Sequence, residues 1–216
     1  MLARPRLFRL LDRSRGAPLL WIAAPPGAGK TTLVSHYLEQ RSRKHVWYQV
    51  DAGDRDVAGL LSYLALAVEA PGRRKSTPRL PRYGAEYFAS LEDLYRSFFR
   101  GLFARLGEPA TLVFDDYHEL AEDAEFHRAV CAALEQMPEG HQVVVLSRHP
   151  APAAFARMRA EQRMTSLDAD ALKLTQDETR RLARVLRDKA AASSGSQRLH
   201  AQCEGWVTGF MLLLDR

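Results

Sequence analysis

The 216-residue sequence predicts an α/β fold: a three-layer domain with a mainly parallel sheet, followed by a small, partly helical C-terminal extension. Three observations predict it. Short continuous apolar runs alternate with helical patterns, and such runs mark strands buried on both faces of a parallel sheet. The first run passes directly into a glycine-rich turn and a helix. The third run ends on two adjacent acids.

The first strand is read at Leu19-Leu20-Trp21-Ile22-Ala23, the second at His45-Val46-Trp47-Tyr48-Gln49-Val50. The third is Thr111-Leu112-Val113-Phe114, and the fourth is Gln142-Val143-Val144-Val145-Leu146. The clearest helix spans Leu91 to Leu106. There Leu91, Leu94, Tyr95, Phe98, Phe99, Leu102, Phe103 and Leu106 fall on one face, and Gly107 and Pro109 stop it. Val57, Leu60, Leu61, Leu64 and Val68 mark a second helix. Phe126, Val130, Leu134 and Met137 mark a third, ended by Pro138 and Gly140. The stretch from Pro71 to Gly84, rich in Pro and Arg, reads as a long exposed loop. The α/β pattern runs from 17 to 150 and ends at His149-Pro150-Ala151-Pro152. Residues 1–16 form a basic N-terminal segment, and residues 151–216 form the extension, read as the start of a further helical domain. In the extension Leu172-Lys173-Leu174 reads as a short strand. Thr175 and Glu178 make a capping box before the apolar stripe Leu182, Val185, Leu186, and Ala190 to Gln197 reads as a small-residue loop.

Composition narrows the function classes. At 46% apolar and 26% charged residues, the chain has the balance of a soluble globular protein. No apolar run nears the roughly 20 residues a membrane span needs. The basic start lacks the apolar core of a signal peptide, so the expected compartment is the cytoplasm. Cys131 and Cys203 are too few for a disulfide framework or a metal cluster and read as core thiols. The net charge of +5 suits an anionic ligand. Arg4, Arg6, Arg9, Arg13 and Arg15 crowd the start, and Arg73, Arg74, Lys75, Arg79 and Arg82 crowd the Pro-rich loop. Both read as solvated faces, since interleaved aromatics, zinc spacing and a helix-turn-helix pattern are lacking.

The chemistry sits at the strand ends. Ala24-Pro25-Pro26-Gly27-Ala28-Gly29-Lys30-Thr31-Thr32 follows the first strand and opens a helix. It matches the phosphate-binding G-x-x-x-x-G-K-[ST] motif except that Ala24 replaces the first glycine. Gly27 and Gly29 allow the backbone to turn its N–H groups into one concavity at the positive end of a helix dipole. Lys30 is expected to reach the β- and γ-phosphates, Thr31 to place its hydroxyl on Mg²⁺, and Thr32 to bond the α-phosphate. These features outweigh the plainer reading of a glycine-rich turn. Asp115 and Asp116 end the third strand as a Walker B pair. Asp115 is the expected Mg²⁺ partner, and Asp116 the group that orients or deprotonates the attacking water. Aspartate is one methylene shorter than glutamate and holds that water less closely, which predicts slow hydrolysis. Arg148, just past the fourth strand, is placed to sense the γ-phosphate through its guanidinium. His118 stands beyond the acid pair as a phosphate contact, a switch element or a helix-starting residue. The sequence holds no asparagine. The N-K-x-D guanine signature is therefore impossible, and an L-S-G-G-Q signature is lacking as well. ATP/ADP with Mg²⁺ is the expected ligand set. A dedicated P-loop ATPase or a kinase-type phosphotransferase is the alternative to a switch.

Taken together, these stretches resemble the ATPase module of MalT-type transcriptional activators, LuxR-family regulators in the STAND class of P-loop NTPases. The resemblance is carried by Arg4-Pro5-Arg6-Leu7, the Ala24–Thr32 loop, Trp47 to Asp54, Val113-Phe114-Asp115-Asp116-Tyr117-His118, Val145-Leu146-Ser147-Arg148 and Glu204-Gly205-Trp206-Val207-Thr208-Gly209. In that family alanine is common at the position of Ala24. The resemblance implies a signalling switch that holds ADP as a closed monomer and self-associates in the ATP form. It implies that Arg148 is the γ-phosphate sensor and that Arg4 to Leu7 lies near the nucleotide base. It also implies that Trp206, at the start of the helical region, is a core residue. DNA would be bound only through a domain that these residues do not contain.

Overall fold

The computed structural model describes residues 3–55, 57–68, 80, 90–120, 122–186 and 195–214. Five parallel strands form one sheet: β1 (Leu19–Ala23), β2 (His45–Gln49), β3 (Thr111–Asp115), β4 (Gln142–Ser147) and β5 (Met164–Leu167). Their order is β2-β3-β4-β1-β5, so β4 lies between the strand that leads into the glycine-rich turn and the strand that ends on the acid pair.

Alternation along each strand sorts the core into two layers. Leu19 and Trp21 of β1 face one side with Leu112, Phe114, Val143 and Val145, beneath α3 (Val57–Val68), α4 (Leu91–Leu106) and α5 (Ala124–Gln136). Leu20 and Ile22 face the other side with Val113, Val144 and Leu146, beneath α1 (Pro5–Ser14) and α2 (Lys30–Gln40). A sheet covered on both faces needs apolar residues at successive positions, and this is why its inner strands β1, β3 and β4 read as continuous runs. The helices stop and start on local chemistry. Pro opens α1, where a missing N–H costs nothing. Ser90 caps α4 by accepting from the Asp93 amide, and Gly107 ends it at φ +68°. Asp123 caps α5 through the Phe126 amide.

Beyond β4 come α6 (Ala156–Ala160), β5, α7 (Ala169–Leu172), α8 (Gln176–Val185), α9 (Gly195–Cys203) and α10 (Val207–Leu214). The sheet therefore continues past residue 150, because β5 pairs with the free side of β1 in the register Leu19↔Met164 to Ile22↔Leu167. The short strand expected at Leu172–Leu174 is not formed. Asp168 accepts from the Ala171 amide and winds 169–172 into a helical turn, while the Lys173 carbonyl is taken by arginine side chains. The capping box at Thr175 and Glu178 is present. The expected loop at Ala190–Gln197 is already helical from Gly195, and its first residues lie outside those described. The expected Pro71–Gly84 loop also lies outside them apart from Leu80, which is buried. The basic run from Arg73 to Arg82 is outside as well. Cys203 is buried, whereas Cys131 is only half-buried. Among the described residues no helix is long and apolar enough to cross a membrane.

Candidate functional site

The turn between β1 and α2 is built by two left-handed glycines. Gly27 has φ +75° and Gly29 φ +80°, a region that side chains with a Cβ avoid. Ala24 does not share that geometry; it is not among the positive-φ residues and is 1% exposed, with its methyl in the core beneath α1 and α2. The missing first glycine of the motif thus carries no backbone penalty. The Ala24 amide donates to the Ser147 carbonyl at 3.1 Å, which ties the turn to the end of β4. Lys30 is 8% exposed, and its Nζ donates to the Ala24 and Pro25 carbonyls at 2.7 and 3.2 Å.

The acid pair is brought to this turn across the intervening strand. Thr31 Oγ1 donates to Asp115 Oδ2 at 2.9 Å, joining residues 84 positions apart in sequence. The other Asp115 oxygen accepts from the Asp116 amide at 2.9 Å. Burial pushes the Asp115 carboxyl up from its ordinary value, against the hydrogen bonds from Thr31 and Asp116 and the charge of Lys30. Asp116 holds a left-handed φ of +53°, rare outside glycine, and accepts from Gln49 Nε2 at 2.5 Å. The left-handed turn separates the two carboxylates, one buried and one partly exposed.

Arg148 stands exposed one residue beyond β4. Its charge reaches both Lys30 and His118. Burial is the main cause that lowers the Lys30 pKa; the charges of Asp115 and Asp116 oppose it, and Arg148 lowers it further. The His118 imidazole is 93% buried by side chain, lies 3.3 Å from Glu119 Oε1 and 3.9 Å from Asp116 Oδ1, and has no aligned hydrogen bond at either nitrogen. Burial, then the Arg148 charge, lowers its pKa. Lys30 and Arg148 therefore repel one another at the ends of β1, β3 and β4, with the charges of Asp115 and Asp116 opposing that repulsion, and the His118 imidazole lies within reach of the same charges.

Two cavities flank this point. One of about 270 Å³ lies between α1, α2 and the C-terminal helices; Arg4, Phe8, Gly29, Thr32, His36 and Val207 are among its lining residues. The other, about 460 Å³, opens beside His118 and is lined by Arg55, His118, Glu119, Leu120, Glu122, Asp123 and His149. The structure thus groups Ala24 to Thr32 with Asp115, Asp116 and Arg148. Three residues that sequence reasoning did not single out lie beside this group: Gln49, which bonds Asp116, and Phe8 and His36, which line the smaller cavity. Gln49 sits opposite Asp115 in the β2–β3 register, a relation visible only once strand order is known.

Residues 1–148 match the family described as "Nephrocystin 3, N-terminal". The chain belongs to this family. It is a STAND-type P-loop NTPase module. It is also 30% identical over 211 residues to the HTH-type transcriptional regulator MalT of Cronobacter sakazakii (strain ATCC BAA-894), across 97% of this chain and 23% of that protein. The chain therefore spans about a quarter of that relative's length. Among solved structures it is similar to the Walker-type ATPase PABY2304 of Pyrococcus abyssi, with a TM-score of 0.60 and 14% identity. That match covers 99% of this chain and 68% of the other, and it shows the shared fold.

Proposed function

We propose that this module is an ATP/ADP switch that hydrolyses ATP slowly and whose nucleotide state is read by the helices packed over its phosphate loop. The observation that carries the reading is the 2.9 Å hydrogen bond from Thr31 to Asp115, which couples the loop to the acid-bearing strand across β4. A site joined in this way responds to whether a γ-phosphate is present between Lys30 and Arg148.

The geometry supports the following roles. The backbone of Ala24, Pro25, Pro26, Gly27, Ala28 and Gly29 forms the cradle, and Lys30 leaves its two carbonyl acceptors for phosphate oxygens. Thr32 lines both the loop and the 270 Å³ cavity, which we assign to the base and ribose. Phe8 and His36, whose rings meet edge to face with centroids 5.4 Å apart, supply an aromatic wall for a purine. The oxygens of Thr31 and Asp115 are hard donors of the kind Mg²⁺ takes. Among the described residues no group of three or more His, Cys, Asp or Glu could hold a metal alone. That fits magnesium, which uses one or two carboxylates beside phosphate oxygens and water. When bound, the ion would neutralise phosphate charge. Asp116, turned away from Asp115 by its left-handed backbone, is free of metal duty and orients the attacking water, with Gln49 holding its other side. Arg148 contacts the γ-phosphate.

In this reading the ATP form self-associates, and DNA is contacted by residues other than these, as suits a module shared with a transcriptional regulator. The cavity beside His118 favours one second reading, a phosphotransferase whose acceptor enters there. Bound-nucleotide analysis and a turnover assay separate the two. Tightly held ADP, with turnover slower than about one per minute, supports the switch. Rapid turnover stimulated by a small-molecule acceptor would replace it. Lys30→Ala should abolish nucleotide binding, and affinity that survives this change would overturn the site.

A further inference from the structure

Helix α10 touches the phosphate loop directly. Thr208, in its first turn, donates its hydroxyl to the Gly27 carbonyl at 2.7 Å, across 181 residues of sequence. A Cβ placed on Gly27 would lie 2.2 Å from Thr208 Oγ1, so the helix approaches to a distance that only glycine permits. On the other side of the same peptide unit the Ala28 amide donates to the Pro25 carbonyl at 3.3 Å. The Gly27–Ala28 peptide is thus held from outside by Thr208 and from inside by the loop.

The approach of α10 is itself fixed. Glu204 and Gly205 take left-handed φ values of +49° and +78°, turning the chain out of α9. The Gly205 carbonyl accepts from the Leu174 amide at 2.7 Å. The preceding carbonyl, of Lys173, accepts from Arg4 and Arg6 at 2.8 and 2.9 Å. Through these contacts α10 shares a frame with α1, which is packed against the same loop-bearing layer.

We infer that Thr208 is a positioning residue of the phosphate site, fixing the Gly27–Ala28 peptide so that the C-terminal segment completes the cradle it covers. The physical reason is the softness of the loop. Glycine takes positive and negative φ at similar cost, so a turn with glycines at 27 and 29 has several orientations open to the peptide between them. A trans peptide is planar, so turning its carbonyl outward turns its N–H inward. Thr208 selects that orientation, and a preformed cradle spares the ligand the cost of ordering it.

The inference rests on the nucleotide-site reading, and the experiment keeps the two apart. ADP and ATP affinities would be measured by titration calorimetry for the parent, Thr208→Val, Thr208→Ser and Lys30→Ala. Thr208→Val keeps the shape and removes the donor. It should weaken ADP and ATP by the same factor, roughly 3- to 10-fold for one lost hydrogen bond. Thr208→Ser should bind within about twofold of the parent, and the nucleotide-free Val variant should melt with it. Hydrogen exchange of the peptide spanning residues 24–32 should quicken in the Val variant and recover in the Ser variant. Thr208→Ala gives the same comparison if the Val variant melts early. A Val variant that binds both nucleotides like the parent, or a Ser variant as weak as Val, overturns the role of Thr208. If Lys30→Ala also binds normally, the nucleotide site falls with it; if Lys30→Ala fails to bind, only the Thr208 inference falls.

Discussion

Removing the Glu178 carboxylate should loosen the C-terminal helices from the nucleotide domain. Glu178 Oε2 accepts from Arg4 Nη2 at 2.9 Å, Arg6 Nη2 at 3.5 Å and the Thr175 amide at 3.0 Å. Its side chain is 8% exposed and that of Arg4 is 10%. Glu178→Ala therefore deletes half of the capping box, worth about 1 kcal/mol, and leaves Arg4 without its buried counter-charge. Removing one partner of a buried pair costs about 3–5 kcal/mol. The Lys173 carbonyl still accepts from both arginines, which moves the cost of the broken pair to its low end, about 3 kcal/mol, and the expected total with the cap to about 4 kcal/mol. Glu178→Gln keeps an acceptor for Thr175 and Arg4 and should cost about 1–2 kcal/mol. Urea unfolding of both variants at pH 7 measures the difference. The pH dependence gives an independent check. Burial raises the Glu178 pKa, but hydrogen bonds from Arg4 and Thr175 and the charges of Arg4 and Arg6 bring it below its ordinary 4.5. The contribution is thus complete above pH 4.5 and is lost as pH falls through the lower folded value. Parent and Glu178→Gln should differ at neutral pH and converge in acid. A Glu178→Ala variant within about 1 kcal/mol of the parent would refute the ion cluster as a structural tie.

Other positions are open to direct test. Gly205→Ala places a methyl 2.8 Å from the Leu174 carbonyl at a φ of +78°, and should cost about 2–3 kcal/mol in urea unfolding through strain and the disturbed Leu174–Gly205 hydrogen bond. Asp116→Asn should keep ADP and ATP affinity and lower single-turnover hydrolysis roughly 100-fold or more; parallel loss of binding and hydrolysis would move Asp116 from water activation to metal or structure. Burial pushes the Cys131 thiol up to about 11, with a smaller push from Glu135. Its alkylation should therefore be slow at pH 8 and quicken only as pH approaches that value, and a rate that levels off near pH 8.5 would contradict the burial.

What the sequence shows of this module follows the range of the forces involved. The loop from Ala24 to Thr32 and the acids at 115 and 116 are legible because each is a local pattern on one strand end. The three inner strands, β1, β3 and β4, are legible because burial on both faces forces apolar runs, and the edge strand β2 is legible through the apolar and aromatic residues Val46, Trp47 and Tyr48 at its centre. β5 is not, since its Met164, Thr165 and Ser166 remain partly or fully exposed and only Leu167 is buried. An edge strand needs backbone pairing to β1 more than an apolar face. Leu172-Lys173-Leu174 misleads for the opposite reason. Its alternation suits a strand, but Asp168 offers a local cap and the Arg4 and Arg6 guanidinium groups claim the carbonyl a ladder would need. The capping-box pattern located Glu178, yet not its partners 172 and 174 residues away. Thr208 is the extreme case. Its contact appears in the sequence only as Gly27, and Gly27 already has a sufficient explanation in its positive φ. A residue required for two physical reasons reveals only the first until the backbone approaching it is seen.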